Sequence, residues 1–195
     1  PRDHQSEAIN DVMDGFTRFD RGQMSMACGT GKALTSLFIY DKLAPQRTLF
    51  LVPSLLLLRQ TLREWAANTH IDFDFLPVCS DESVGRDDDA AVSSVSQLGF
   101  PARTDPESIA EFLRGEGPRV VFSTYQSSRE VANALAMPGV PAFDLVIADE
   151  AHRTAGPLAS PFATVLDDAL IPARRRLFMT AIPRKWSDRV LEEAD

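Results

Sequence analysis

Residues 26–33 read Met-Ala-Cys-Gly-Thr-Gly-Lys-Ala and lie between an apolar run and a segment with helical periodicity. The glycines at positions 29 and 31 let backbone N–H groups turn toward an anion, and Lys32 adds a positive charge at the start of the helix. The pattern predicts a loop that binds nucleotide phosphates. The alternative is an ordinary strand-to-helix turn in which Lys32 is a solvated surface charge.

The residue after the lysine departs from the usual phosphate-binding loop. Such loops carry a Ser or Thr whose hydroxyl reaches Mg²⁺, whereas this chain has Ala33. The loop by itself therefore leaves open whether ATP is hydrolysed or only bound.

Apolar runs and helical patterns alternate along the rest of the chain, which indicates repeated βαβ units. The runs are continuous in Val, Ile, Leu and Phe, as is typical of parallel strands buried on both faces. We therefore predict an α/β fold, an open, doubly wound, mostly parallel sheet with helices on both faces. The predicted strands are 23–27, 48–52, 73–79, 119–123, 145–148 and 176–179, and the predicted helices are 32–43, 55–69, 128–135 and 188–193.

Residues 80–117 break this alternation because they are rich in Asp, Ser, Gly and Pro. We expect an exposed acidic, polar insertion here. Within it, Thr104 and Asp105 as caps and Pro106 in the first turn predict a short helix that Gly115 ends.

Composition limits the class of protein. With 195 residues, 44% of them hydrophobic, the chain is expected to form one domain over 1–195. The net charge of −8 argues against a generally basic nucleic-acid coat, although the acid is concentrated at 81–89 and leaves room for a local groove. Because the chain begins with Pro1 rather than Met, we expect it to be part of a longer polypeptide.

The cellular setting follows from cysteines and hydropathy. Cys28 and Cys79 are too few for a structural zinc site and do not suggest a disulfide framework, so we expect a reducing cytoplasm. No apolar run reaches the roughly 18 residues of a membrane span, so no membrane partner is expected.

A second motif lies where the apolar run 145–148 ends in Asp149 and Glu150. Carboxylates at the end of a buried strand are costly unless a cation meets them, and the Mg²⁺ of ATP is a natural partner. Asp149 is the candidate metal ligand, and Glu150 is the candidate residue that orients or deprotonates the attacking water. The alternative is a solvated acidic turn. We interpret His152 as a coupling residue that touches Glu150 or a later motif, not as a base.

Together these motifs resemble the N-terminal RecA-like motor domain of superfamily 2 helicases and translocases of the DEAH type. The resemblance implies a RecA-like P-loop NTPase fold that hydrolyses ATP with Mg²⁺ to drive movement on nucleic acid. It also implies a second RecA-like domain in the same polypeptide, without which the fragment is weakly active or inactive. Residues 149–156 most resemble restriction-modification and phage-defence helicases, which favours DNA over RNA.

The resemblance also assigns roles to individual residues. The nucleotide-binding set is Arg2, Gln5, Cys28, Gly29, Thr30, Gly31, Lys32 and Ala33, with Lys32, Asp149 and Glu150 as catalytic residues. Arg2 and Gln5 would recognise adenine, although the same pattern fits a simple amphipathic helix start.

Nucleic-acid contacts are implied at the ends of two other strands, and coupling at a third. The implied contact residues are Pro53, Ser54, Gln60, Thr124, Tyr125 and Gln126. Helix capping by Ser54 and Ser127 is the alternative explanation for their positions. Thr180 and Ala181 match a motif that couples ATP to nucleic acid, while Ile182 stands where that motif usually has a hydroxyl.

Two other functions stay open. One is a P-loop ATPase that is not a helicase. The other is a degenerate module that binds nucleotide without hydrolysis, which Ala33 and Ile182 suggest and the retained Lys32, Asp149 and Glu150 oppose.

Overall fold

The computed structural model describes residues 1–27, 29–79, 103–151 and 161–181. Within these ranges, six strands form one sheet in which every neighbouring pair is parallel. The strands are β1 (Arg21–Ser25), β2 (Arg47–Val52), β3 (Asp74–Val78), β4 (Arg119–Thr124), β5 (Leu145–Ala148) and β6 (Arg176–Thr180). Their spatial order is β1-β6-β5-β2-β4-β3.

Helices cover both faces of the sheet, as predicted. They are α1 (Asp3–Gly15), α2 (Lys32–Leu43), α3 (Leu55–Asn68), α4 (Pro106–Arg114) and α5 (Ser128–Leu135). Alternate residues of β2 enter different cores: Phe50 and Val52 pack with residues of α1, α2 and α3, whereas Leu49 and Leu51 pack with α4 and α5. The described part of the chain is therefore a doubly wound α/β domain.

Local signals explain where several helices begin and end. The Ser54 hydroxyl accepts a hydrogen bond from the Leu57 N–H at 3.4 Å and caps α3. The Asp105 carboxylate accepts from the Ser108 N–H at 2.8 Å, and Pro106 follows in the first turn of α4. At the end of α2, Ala44 adopts the left-handed conformation with φ of 44°.

Most predicted elements are found within one or two residues of their expected positions. The predicted ranges of α2, α5 and β5 match the structure. The first strand lies two residues earlier than predicted, at Arg21–Ser25 instead of 23–27, and Met26 continues beside β6 by donating its N–H to the Thr180 carbonyl at 3.1 Å. The helix predicted at 188–193 lies outside the described residues.

The prediction that 80–117 is wholly an exposed insertion is wrong for its second half. Residues 80–102 lie outside the described part, but α4 buries Ile109, Ala110 and Leu113 completely in the core. The Arg47 guanidinium then ties this helix to β2 by donating to the carbonyls of Leu113 at 2.6 Å and Gly117 at 2.8 Å. The polar composition of the segment led to the prediction of exposure, although three apolar residues lie on one face of this short helix.

A parallel sheet brings every strand's carboxyl end to one edge, where ligands of open α/β sheets bind. The loops after β1, β2, β4, β5 and β6 therefore share this edge. Over the described ranges, no helix is both long and apolar enough to cross a membrane.

Candidate nucleotide-binding site

The loop after β1 has the backbone geometry of an anion cradle. Gly29 and Gly31 adopt φ values of 76° and 88°, which place their peptides in conformations that side-chain-bearing residues seldom adopt. The Thr30 hydroxyl donates to the Ala27 carbonyl at 2.7 Å and closes the turn. Cys28 lies outside the described residues. Lys32 then begins α2, so the loop leads into a helix N-terminus that favours negative charge.

Lys32 and Glu150 meet although they are far apart in sequence. The Lys32 Nζ donates to the Glu150 Oε1 at 3.0 Å, and the two side chains are only 11% and 21% exposed. The loop after β1 and the end of β5 thus form one site, as the sequence predicts for the two motifs.

Asp149 is the most buried of these charged groups. It is 7% exposed, and its backbone N–H donates to the Leu51 carbonyl at 2.8 Å. Burial raises the pKa of its carboxyl to about 6, while the N–H of Glu150, which donates to the Asp149 Oδ1 at 2.9 Å, opposes this shift. A cation beside Asp149 would remove the cost of that buried charge, so the residue fits a metal ligand.

The backbone carbonyl of Ala33 accepts hydrogen bonds from two side chains. The Trp65 Nε1 donates to the Ala33 carbonyl at 3.1 Å, and the Ser36 hydroxyl donates to the same oxygen at 2.7 Å. These contacts fix the first turn of α2 against α3. Sequence reasoning missed Trp65, because a tryptophan at a core position of a helix carries no signal for a distant polar contact.

Gln5 lies against the loop. Its Nε2 is 3.4 Å from the carbonyl oxygens of both Thr30 and Gly31, and its Oε1 accepts from the Arg2 N–H at 2.8 Å. The His4 Nε2 also lies 3.1 Å from the Thr30 carbonyl oxygen. Arg2 itself is exposed.

A cavity of about 360 Å³ lies beside this contact. His4, Glu7, Ala8 and Asp11 of α1 form one wall, and Ser25, Met26, Ala27 and Thr30 form the other. Arg2 and Gln5 do not line it, so their predicted contact with adenine stays a prediction.

The predicted nucleic-acid residues follow β2 and β4, with Gln60 in α3, and they differ in accessibility. Gln60 is exposed and Ser54 is half-buried, whereas Pro53 is buried and Thr124 is fully buried. The Thr124 hydroxyl donates to the Ser127 hydroxyl at 3.3 Å, and no side-chain cap from Ser127 to α5 is formed.

The turn after β4 points inward. Tyr125 has no exposed surface, and its hydroxyl donates to the Asp149 carbonyl at 2.7 Å. The Gln126 Oε1 is buried and accepts no hydrogen bond from the described residues. A nucleic acid would reach this turn through Gln126 and the backbone more readily than through the phenol.

The residues predicted to couple ATP to nucleic acid lie beside the start of the loop after β1, where Met26 donates to the Thr180 carbonyl. Thr180 ends β6, is 2% exposed and pairs in register with Ser25. Ala181 follows it directly. His152 and Ile182 lie outside the described residues.

Comparison with known proteins places this arrangement in a family. The family model described as "Type III restriction enzyme, res subunit" matches residues 1–185. A probable helicase, A859L, of African swine fever virus (isolate Tick/South Africa/Pretoriuskop Pr4/1996) is 33% identical over 182 residues, which are 93% of this chain and 19% of the viral protein.

Solved structures agree with that match. The Type ISP restriction-modification enzyme LlaBIII bound to DNA is 35% identical with a TM-score of 0.79, over 94% of this chain and 12% of that enzyme. A nuclease-deletion mutant of LlaGI, of the same type, in complex with a DNA substrate mimic, is 36% identical with a TM-score of 0.75, over 95% of this chain and 18% of that one. The Hef helicase domain of Pyrococcus furiosus, 19% identical with a TM-score of 0.60, shares the fold.

This chain spans between 12% and 19% of the length of the first three of these relatives. The family match nevertheless covers nearly the whole chain. The chain therefore belongs to the Type III restriction enzyme res-subunit family and has the RecA-like fold of a superfamily 2 helicase motor domain.

Proposed function

We propose that this domain binds ATP with Mg²⁺ and hydrolyses it to drive a helicase or translocase along DNA, as part of a restriction or phage-defence enzyme. The observation that carries the proposal is the 3.0 Å contact between Lys32 and Glu150 beside the buried Asp149. A phosphate-binding lysine and two carboxylates converge there on one glycine-lined loop. Phosphoryl transfer to water uses groups of these kinds.

Each residue has a distinct task in this proposal. The backbone around Gly29 and Gly31 holds the phosphates, and Lys32 leaves Glu150 to bind a phosphate oxygen. Glu150, no longer paired with Lys32, orients the attacking water and accepts its proton. Asp149 is the residue that would hold Mg²⁺, which when bound neutralises charge on the phosphate oxygens.

DNA is the proposed track because the two restriction-modification relatives are described with DNA or a DNA mimic. Gln60, Ser54 and Gln126, at one edge of the sheet, are the residues most accessible to it among those proposed. A second RecA-like domain in the same polypeptide and a cytoplasmic location belong to the same proposal.

Ala33 favours a second candidate, a domain that binds nucleotide without turnover, because position 33 offers no hydroxyl to the metal. The presence of Lys32, Asp149 and Glu150 at the site favours ATP hydrolysis. A buried Asp149 and a strained Glu150 are costly features that simple binding does not need.

ATPase assays on the full-length protein test the proposal. We expect DNA to raise the rate, and we expect Lys32→Ala and Glu150→Gln each to lower it by at least about 100-fold. Lys42→Ala is the matched control, because Lys42 lies in the same helix but is exposed and pairs with Asn10 at 3.3 Å. Equal rates with and without DNA would contradict a translocase, and no hydrolysis at all would support the binding module.

A further inference from the structure

The peptide that joins Asp149 to Glu150 is held at both ends. Its carbonyl oxygen accepts a hydrogen bond from the Tyr125 hydroxyl at 2.7 Å. Its N–H donates to the Asp149 Oδ1 at 2.9 Å. A peptide plane fixed at both polar atoms cannot rotate without breaking one of these bonds.

Glu150 directly follows that fixed plane. Glu150 has φ of 50°, in the left-handed region that residues other than Gly, Asn and Asp seldom adopt. Such a conformation persists only where surrounding contacts enforce it. In this conformation the Glu150 carboxylate reaches Lys32 at 3.0 Å.

Tyr125 comes from a different part of the sheet. It opens the short 3₁₀ turn Tyr125–Ser127 that directly follows β4, and β2 lies between β4 and β5. Its neighbours Thr124 and Gln126 are candidate nucleic-acid contacts. The phenol is completely buried and reaches across the sheet edge to Asp149.

We propose that Tyr125 is a positioning residue for hydrolysis, whose hydroxyl holds the Asp149–Glu150 peptide and links the turn after β4 to Glu150. The inference rests on the proposed function and gives Tyr125 an internal role instead of direct contact with nucleic acid. A shift of the turn when nucleic acid binds at Gln126 moves the hydroxyl, and the peptide follows it. DNA stimulation of hydrolysis then depends on one hydrogen bond.

The two tyrosines of the chain provide a matched test. Tyr40 is also completely buried, but its hydroxyl makes no hydrogen bond to the described residues. In the full-length protein we expect Tyr125→Phe to lower the DNA-stimulated kcat by about tenfold or more while the KM for ATP and the Kd for DNA change by less than about twofold. Tyr40→Phe should leave all three values unchanged. Thermal unfolding of both variants checks that they fold.

Two results would overturn the inference. One is a DNA-stimulated kcat for Tyr125→Phe equal to that of the wild type. The other is a weaker affinity for DNA with kcat unchanged, which would make the phenol a direct ligand.

A crystal structure of Tyr125→Phe provides a readout that does not depend on turnover. We expect Glu150 to leave the left-handed region and its carboxylate to separate from Lys32. Retention of φ near 50° and of the Lys32 contact overturns the role of Tyr125 even if the protein hydrolyses ATP. Absence of hydrolysis in the wild type contradicts the proposed function, and the crystal structure still decides on the hydrogen bond.

Discussion

The Gln5 Nε2 lies 3.4 Å from the Gly31 carbonyl oxygen, and a Cβ atom added to Gly31 would lie 2.5 Å from that nitrogen. Gly31 also has φ of 88°. A side chain at position 31 would therefore displace the Gln5 amide from the loop after β1.

Substitution of the two loop glycines separates this displacement from backbone strain. Gly29 also has a positive φ of 76°, but a Cβ atom added there would meet no atom of the described residues within 4 Å. We expect both Gly29→Ala and Gly31→Ala to lose about 1 kcal/mol of stability through strain. Gly31→Ala should weaken ATP-analogue binding by about tenfold more than Gly29→Ala, because it also displaces Gln5. Equal affinities in a fluorescence titration would contradict the role of Gln5.

Asp149 is predicted to cost stability at neutral pH when no nucleotide is bound. Its pKa is raised from 3.8 to about 6, so folding favours the protonated carboxyl. The stability that the protonated form contributes is fully present below about pH 4 and is lost as pH rises through about 6. Asp149→Asn removes the charge, and we expect it to raise the free energy of unfolding at pH 7 by about 1–3 kcal/mol.

Urea unfolding between about pH 2 and about pH 7 measures the effect, because the Asp105 control responds below about pH 4. Asp105→Asn is the control of opposite sign, because hydrogen bonds from Ser108 lower the pKa of that capping carboxyl. The stability that the ionised Asp105 carboxylate contributes is present above the ordinary Asp pKa and is lost as pH falls. Two variants that respond to pH in the same direction would contradict this account.

Ala33→Thr is expected to lower the Mg²⁺ requirement of the ATPase more than it raises the maximal rate. The added hydroxyl supplies an oxygen at the position where P-loops hold the cation. We expect the Mg²⁺ concentration for half-maximal activity to fall by about threefold to tenfold, with kcat changed by less than about twofold. Ala33→Val has the same shape without the hydroxyl and should not reproduce the shift. Activity that appears only in the Thr variant would show that the native domain is a binding module.

Two exposed alanines at helix C-termini should respond oppositely to glycine. Ala44 ends α2 with φ of 44°, whereas Ala136 ends α5 with φ of −72°. Glycine relieves the strain at the first position and only adds unfolded-state entropy at the second. We expect Ala44→Gly to raise the free energy of unfolding by about 0.5–1 kcal/mol and Ala136→Gly to lower it by up to about 1 kcal/mol. Chemical denaturation measures both, and destabilisation by Ala44→Gly would contradict the prediction.

Arg176 is expected to be essential for stability, although it lies away from the site. It is 2% exposed, donates to the Val165 carbonyl at 3.1 Å and pairs with Asp168 at 2.8 Å. Arg176→Met leaves the carbonyls of Val165 and Ile171 without this donor, while Asp168 keeps Arg21, and we expect a loss of about 2–4 kcal/mol. Arg21 pairs with the same carboxylate at 2.6 Å but is 39% exposed, so Arg21→Met should cost less than about 1 kcal/mol. Similar losses from both variants would contradict the importance of burial.

The fold could be predicted from the sequence where apolar runs are bounded by clear signals. The run 145–148 ends in two carboxylates, and α2 begins directly after Gly31, so their limits were predicted correctly. The first strand was placed two residues too late, because the apolar residues Met26 and Ala27 follow the strand without belonging to it. The burial of α4 was missed because the surrounding Asp, Ser and Gly dominate the local composition.

The candidate site was only partly predictable. Lys32, Asp149 and Glu150 belong to motifs whose chemistry requires them to converge, and Lys32 and Glu150 are in contact. The contacts of Tyr125 with Asp149 and of Trp65 with Ala33 join residues 24 and 32 positions apart. Local sequence pattern predicts neither contact, since both depend on how separate elements are arranged in three dimensions.

The ion pair between Lys32 and Glu150 also makes the site selective. Any anion that approaches Lys32 competes with a carboxylate that already lies 3.0 Å away. A lone phosphate or sulfate offers no cation to compensate the acidic pair that it displaces. Under the proposed function, Lys32 would exchange Glu150 for a phosphate oxygen, and Asp149 would hold the metal that a triphosphate brings. Under the proposed function, the ion pair thus favours a metal-bound nucleotide over simple anions.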